Sequence, residues 1–109
     1  MKTLKFAENL VPLVLSGEKY STWRLFDDKN IQEGDEINFV SAETNEVFAR
    51  ASVTKVIERA MGKLKQEEIE GHEKYASDEE MYETFSDYYK RSVGPDTIVK
   101  VIWFQLAGK

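Results

Sequence analysis

Apolar and polar positions along this chain mark out short strands separated by shorter helices. Alternation is clearest over residues 47–57, where Val47, Ala49, Ala51 and Val53 fall on one side of an extended chain and Phe48, Arg50, Ser52 and Thr54 on the other. A run of that length predicts a long strand, bent as strands in barrels are. Residues 97–106 are instead almost continuously apolar, with Ile98, Val99, Val101, Ile102, Trp103, Phe104 and Leu106. This predicts a last strand covered on both faces or lying at a barrel seam. Residues 3–6 read as a first strand and 22–25 as a second. Glu33-Gly34-Asp35 reads as a turn opening a third strand over 36–41, and the polar stretch 42–46 with Asn45 as a hairpin.

Helical spacing fills the gaps. Residues 8–16 predict a short helix that tolerates Pro12 only near its first turn and stops at Gly17. Residues 63–71 are charged and weakly amphipathic, and predict a second helix. Ser77 followed by Glu80 reads as a capping box, with Met81, Phe85, Tyr88 and Tyr89 at helical spacing behind it. The acids Asp78, Glu79 and Glu80 suit the start of that helix, and Gly94-Pro95-Asp96 is its expected end. Met81, Phe85 and Tyr88 are expected in the core. The order of strand, helix, several strands, helices and strand is that of an α+β fold, best met by a small mixed β-barrel with short helices packed outside. A flat α/β sandwich is the alternative.

Composition narrows the functional classes. The 109 residues suit one domain over 1–109, with 41% hydrophobic and 32% charged residues in an ordinary globular balance. No apolar run is long enough to span a bilayer, and the first eight residues lack the apolar stretch of a signal peptide, so a cytoplasmic location without membrane partners is expected. Zero cysteines remove disulfides, thiolate nucleophiles and Cys-type zinc sites, and the single histidine, His72, leaves little to hold a metal. Neither a metal nor another cofactor is expected. The net charge of −5 opposes a broad phosphate-backbone footprint and hence duplex DNA; a small ligand or a short local contact to RNA fits it better.

The densest chemistry lies in Gly17-Glu18-Lys19-Tyr20-Ser21-Thr22-Trp23-Arg24, which joins a helix stop to a strand. Strand alternation puts Thr22 and Arg24 on one face and Ser21 and Trp23 on the other. Lys19 precedes the fixed register, so it is free to swing toward the Thr22 and Arg24 face. Each residue alone has an ordinary reading: Lys19 as a solvated turn residue, Thr22 as a β-former, Arg24 as a partner for Asp27, Asp28 or Glu36. Among the aromatics, Tyr20, Trp23, Tyr75, Trp103 and Phe104 suit stacking on a base, with Trp23 and Tyr75 favoured for a pocket by their nearness to this run.

Gly17-x-Lys19-x-x-Thr22-x-Arg24 after a short helix, Gly34-Asp35 at the head of a strand, and an acidic helical segment before an apolar last strand together resemble the ASCH domains, which are similar to PUA-like RNA-binding barrels. The resemblance spans nearly the whole chain. It implies, from the amidohydrolases of that family, removal of the acyl group of N4-acetylcytidine with a lysine as proton acceptor, a threonine as nucleophile and a glutamate as proton donor. The lysine falls on Lys19 and the threonine on Thr22. The glutamate is best matched by Glu73 in Gly71-His72-Glu73, with Glu70, Glu68 and Glu67 as alternatives. Tyr20, Ser21 and Trp23 are bulkier or more polar than the aliphatic residues the resemblance leads one to expect.

Amide hydrolysis needs those three roles: a nucleophile, a base for its proton and an acid for the leaving amine. An ammonium removed from water and set beside a cation loses its proton more readily, and a carboxyl in an apolar pocket keeps its own. Arg24 then orients the substrate carbonyl or a ribose phosphate, or anchors Glu73. The expected function is a pocket for a pyrimidine nucleoside or RNA base, with N4-acetylcytidine deacylation as its reaction. A non-catalytic RNA-binding module and a single-strand ribonuclease acting without metal are the alternatives.

Overall fold

The computed structural model describes residues 2–26, 29–70 and 75–107. Five strands, β1 (Lys2–Phe6), β2 (Ser21–Leu25), β3 (Glu36–Ser41), β4 (Val47–Ala60) and β5 (Ile98–Leu106), form one mixed sheet in the order β1-β3-β4-β5-β2. β1 runs parallel to β3, and every other neighbouring pair is antiparallel. β4 serves two partners: its first half pairs with β3 and its second half with β5, with a shift of register between Val53 and Lys55. Such a bulge bends a strand. The sheet therefore curls into a half-barrel, the α+β barrel-like architecture expected of the alternation pattern.

β5 explains its own apolar sequence. Val99 and Val101 pack on one face of the sheet with Trp23, Leu25, Met81 and Phe85. Ile102 and Phe104 pack on the opposite face with Leu4, Phe6, Val14, Ile37 and Phe39. A central strand covered on both faces has no solvent side to keep polar.

The helices are shorter than the sequence suggests. The expected helix over 8–16 is a 3-10 turn (Glu8–Leu10) followed by α1 (Val11–Ser16), with Pro12 in the first turn where its missing N–H removes no bond. Gly17 ends it at φ 88°, as the glycine stop predicts. The expected helix over 63–71 reduces to a 3-10 turn (Met61–Lys63) and a single turn, α2 (Gln66–Ile69). α3 (Asp78–Tyr89) starts as expected, the Ser77 hydroxyl accepting from the Glu80 N–H at 3.1 Å. It ends earlier than Gly94-Pro95-Asp96, at Lys90 in the left-handed region with φ 55°. Tyr88 also departs from expectation: Met81 and Phe85 are buried, but Tyr88, seven residues after Met81 and so on the same side of the helix, is 64% exposed in its last turn. Among the described residues no helix is long and apolar enough to cross a membrane.

Candidate functional site

β1 and β2 are the two edges of the sheet, and its curl brings them toward each other. One Nη2 hydrogen of Arg24 crosses that seam to the Lys5 carbonyl at 2.9 Å, and the guanidinium lies 5.1 Å from the centre of the Phe6 ring. On the α3 side, the Leu25 N–H donates to the Tyr89 hydroxyl at 3.1 Å. An edge strand with unpaired backbone groups is thus covered by side chains instead of by another strand.

A cavity of about 300 Å³ occupies this seam. Lys5, Phe6 and Asn9 line it from β1 and the turn that follows, Lys19, Thr22, Trp23 and Arg24 from β2 and its approach, and Tyr75, Thr84, Phe85, Tyr88 and Tyr89 from the α3 side. Because β2 is an edge, side chains from both of its faces reach the same space, which strict alternation in a central strand would prevent. Thr22 and Lys19 are 3% and 4% exposed, so both polar groups are almost out of bulk water. The Lys19 backbone N–H donates to the Leu13 carbonyl at 3.0 Å, which fixes the turn that aims the residue back at β2.

One wall is aromatic. Trp23 and Phe85 stack with centroids 6.0 Å apart, Phe85 and Tyr89 stack at 6.3 Å, and Tyr75 tilts against Phe85 at 6.0 Å. Against it stand three cations, Lys5, Lys19 and Arg24, with no carboxylate among the described lining residues. The Arg24 Nε is buried and has no hydrogen-bond partner among the described residues. In a chain of net charge −5, this places a local excess of positive charge beside aromatic faces.

Five of the six sequence-predicted site residues, Lys19, Thr22, Trp23, Arg24 and Tyr75, therefore line one cavity. The sixth, Glu73, lies outside the described residues, as does His72. Its alternatives separate clearly. Glu68 is buried and engaged elsewhere, accepting from the Lys65 N–H at 2.8 Å and the Arg59 guanidinium at 2.7 Å. Burial alone would raise its carboxyl, but these two partners outweigh burial and hold it below the usual carboxylate range. Glu67 lines a different cavity, with Trp103 and Glu68. Glu70 is exposed, and its carbonyl accepts from the Ser21 hydroxyl at 3.4 Å, so the chain at this point lies against β2. Of the other stacking candidates, Phe104 is core, while Tyr20 and Trp103 each line a cavity other than the seam. No group of three or more carboxylates or imidazoles among the described residues is arranged to hold a metal.

Solved structures share this architecture. The chain superimposes on the ASCH domain of Lactobacillus crispatus with a TM-score of 0.71 at 12% identity, covering 96% of this chain and 79% of that one. The ASCH protein of Zymomonas mobilis gives 0.68 at 10% identity, covering 94% and 65%. The fold is that of an ASCH domain. A protein of Enterococcus faecalis gives a TM-score of 0.76 at 19% identity over 91% of this chain and 70% of that one. No family model matches the chain, and no curated protein sequence does either. At these identities the likeness is one of fold.

Within the ASCH fold, the cavity-lining residues that sequence reasoning did not place there include Lys5, Asn9, Thr84, Tyr88 and Tyr89. Lys5 and Asn9 become visible only once the two sheet edges are known to meet. Tyr88 and Tyr89 carried a local signal: two adjacent tyrosines on a helix whose buried stripe is already supplied by Met81 and Phe85 leave one ring for another surface.

Proposed function

We propose that the seam cavity binds a pyrimidine nucleoside or a modified RNA base and hydrolyses an N4-acyl amide on it. The observation that supports this reading is that Lys19, Thr22, Trp23, Arg24 and Tyr75 line one aromatic cavity at the open edge of β2. Its volume of about 300 Å³ is at the lower end of small-molecule sites, which suits a ligand of nucleoside size. The pyrimidine ring packs on the Trp23, Phe85 and Tyr75 wall, and Arg24 holds the acyl carbonyl or a ribose phosphate.

In the reaction, Lys19 in its amine form accepts the Thr22 hydroxyl proton as Oγ bonds to the acyl carbon. Collapse of the tetrahedral adduct breaks the bond between that carbon and N4, and Glu73 supplies the proton that the departing amine needs. Water then hydrolyses the acyl ester on Thr22 and releases the acid. Purified protein is expected to convert N4-acetylcytidine to cytidine and acetate, with Lys19→Ala, Thr22→Ala and Glu73→Gln each slowing turnover by about 100-fold or more. Absence of product from the unaltered chain overturns the hydrolase reading for that substrate.

The three cations and the lack of a carboxylate among the described lining residues also support a second reading, in which the same cavity binds RNA without acting on it. It predicts salt-sensitive affinity that Lys19→Ala removes, and no product. Cleavage of the RNA without added metal would assign the site instead to a single-strand ribonuclease.

A further inference from the structure

The seam cavity does not end at Arg24. A second chamber of about 240 Å³ shares Lys5, Arg24, Tyr88 and Tyr89 with it and adds Phe26 and Lys29. No carboxylate is among the described residues lining either chamber, and Asp27 and Asp28 lie outside the described residues. A third, wider opening beyond Arg24 includes Glu58 and is less suited to an anion.

Two features of this second chamber have no account in the core. Phe26 is 41% exposed and holds a left-handed backbone at φ 53°, a conformation unfavourable for a bulky residue. Its ring is nonetheless fixed, with the Arg91 guanidinium 3.9 Å from its centre and Tyr89 edge-on at 5.6 Å. Tyr88, 64% exposed, packs edge-to-face on Tyr89 at 4.9 Å. Two exposed, positioned rings thus flank a chamber carrying Lys5, Arg24 and Lys29.

Resting on the nucleoside reading of the first cavity, we propose that this second chamber is a subsite for a phosphate ester attached to the bound nucleoside. The ligand is then a nucleotide unit and not a free nucleoside. Arg24, at the junction of the chambers, faces both parts of the ligand, Lys5 and Lys29 neutralise the phosphate, and Phe26 and Tyr88 bracket whatever the ester carries. A phosphomonoester and a phosphodiester share this chemistry. An exposed ring beside the phosphate suits stacking of the next base in a strand.

The test measures binding of N4-acetylcytidine, its 5′- and 3′-monophosphates, a dinucleotide containing it, and ribose 5-phosphate to the full chain and to Lys29→Ala and Phe26→Gly. Lys29 lines only the second chamber, and glycine accepts the backbone of residue 26. At least one phosphorylated form is expected to bind about tenfold more tightly than the nucleoside, with Lys29→Ala removing most of that preference and leaving nucleoside affinity unchanged. If Phe26→Gly weakens the dinucleotide alone, the ester is a diester in a strand; if the monophosphates bind as well as the dinucleotide, it is a monoester. Equal affinity for nucleoside and nucleotides overturns the phosphate subsite and leaves the nucleoside reading standing. Lys29-dependent binding of ribose 5-phosphate without binding of the nucleoside does the reverse, and no binding of any probe overturns both.

Discussion

Glu68, one of four candidate acids, is committed by its packing to a structural role. Of four glutamates within seven positions, Glu67, Glu68, Glu70 and Glu73, the resemblance favours Glu73, but no hydrophobic pattern fixes where any of them points. Glu68 is buried against Arg59 and caps the Lys65 N–H. Removing its charge is expected to destabilise the chain by about 2 kcal/mol, since Arg59 loses its partner but remains a third exposed. The effect depends on pH with a definite sign. The Glu68 carboxyl titrates lower in the folded chain than in the unfolded one, so the unfolded state binds more protons in acid. Its stabilisation is complete above the unfolded value and is lost as pH falls through the folded one. Chemical denaturation of the unaltered chain and Glu68→Gln is therefore expected to show a gap at pH 7 that closes toward pH 3. Thr22 was legible because strand register fixes its face, whereas Lys19 precedes that register and is held by its N–H bond to the Leu13 carbonyl; both line the cavity.

At the scale of elements, the strands were legible because alternation is a direct imprint of a two-faced sheet, and 36–41 was read with the bounds that β3 has. The helix ends were less so. α3 stops at Lys90, a residue with no stop signal, because the chain must turn there for Val93 to join the core. The Val93 N–H donates to the Ser86 hydroxyl at 3.0 Å, which satisfies the turn from a position no sequence rule would select. Lys90 at φ 55° is thus a strained cap, and Lys90→Gly is expected to stabilise the chain by about 0.5–1 kcal/mol. Gly17 is the matched case. Nothing lies within 4 Å of a Cβ placed there, so Gly17→Ala is expected to lose about 1 kcal/mol through φ 88° alone. Gly62 differs again: its φ is ordinary, but a Cβ would meet the Pro95 Cβ at 2.8 Å, part of a rigid ring, so alanine there forces the two turns apart. Denaturant midpoints of the three variants separate backbone strain from steric clash, with Lys90→Gly alone rising.

The whole molecule is a sheet whose two edges meet without pairing, and the candidate site exists because they do not. A closed barrel would hydrogen-bond β1 to β2 and leave no seam; here Arg24 crosses it to the Lys5 carbonyl at 2.9 Å, with Phe6 beneath the guanidinium. That makes Arg24 a latch for the fold as well as a cation for the ligand. Arg24→Ala removes the crossing bond and the cover over Phe6, and is expected to lower stability by about 1–2 kcal/mol. The loss belongs to the seam and not to the centre of the sheet, where β4 and β5 stay paired along their registers. Hydrogen exchange distinguishes the two roles. As a latch, Arg24→Ala speeds exchange of the β1 and β2 amides and leaves β4 and β5 protected. Arg24→Lys keeps the charge but gives up the planar fork, so it is expected to show part of the same change at the seam. If ligand affinity falls in both variants with exchange unchanged at β1 and β2, Arg24 acts on the ligand alone and the half-barrel is held closed by its core.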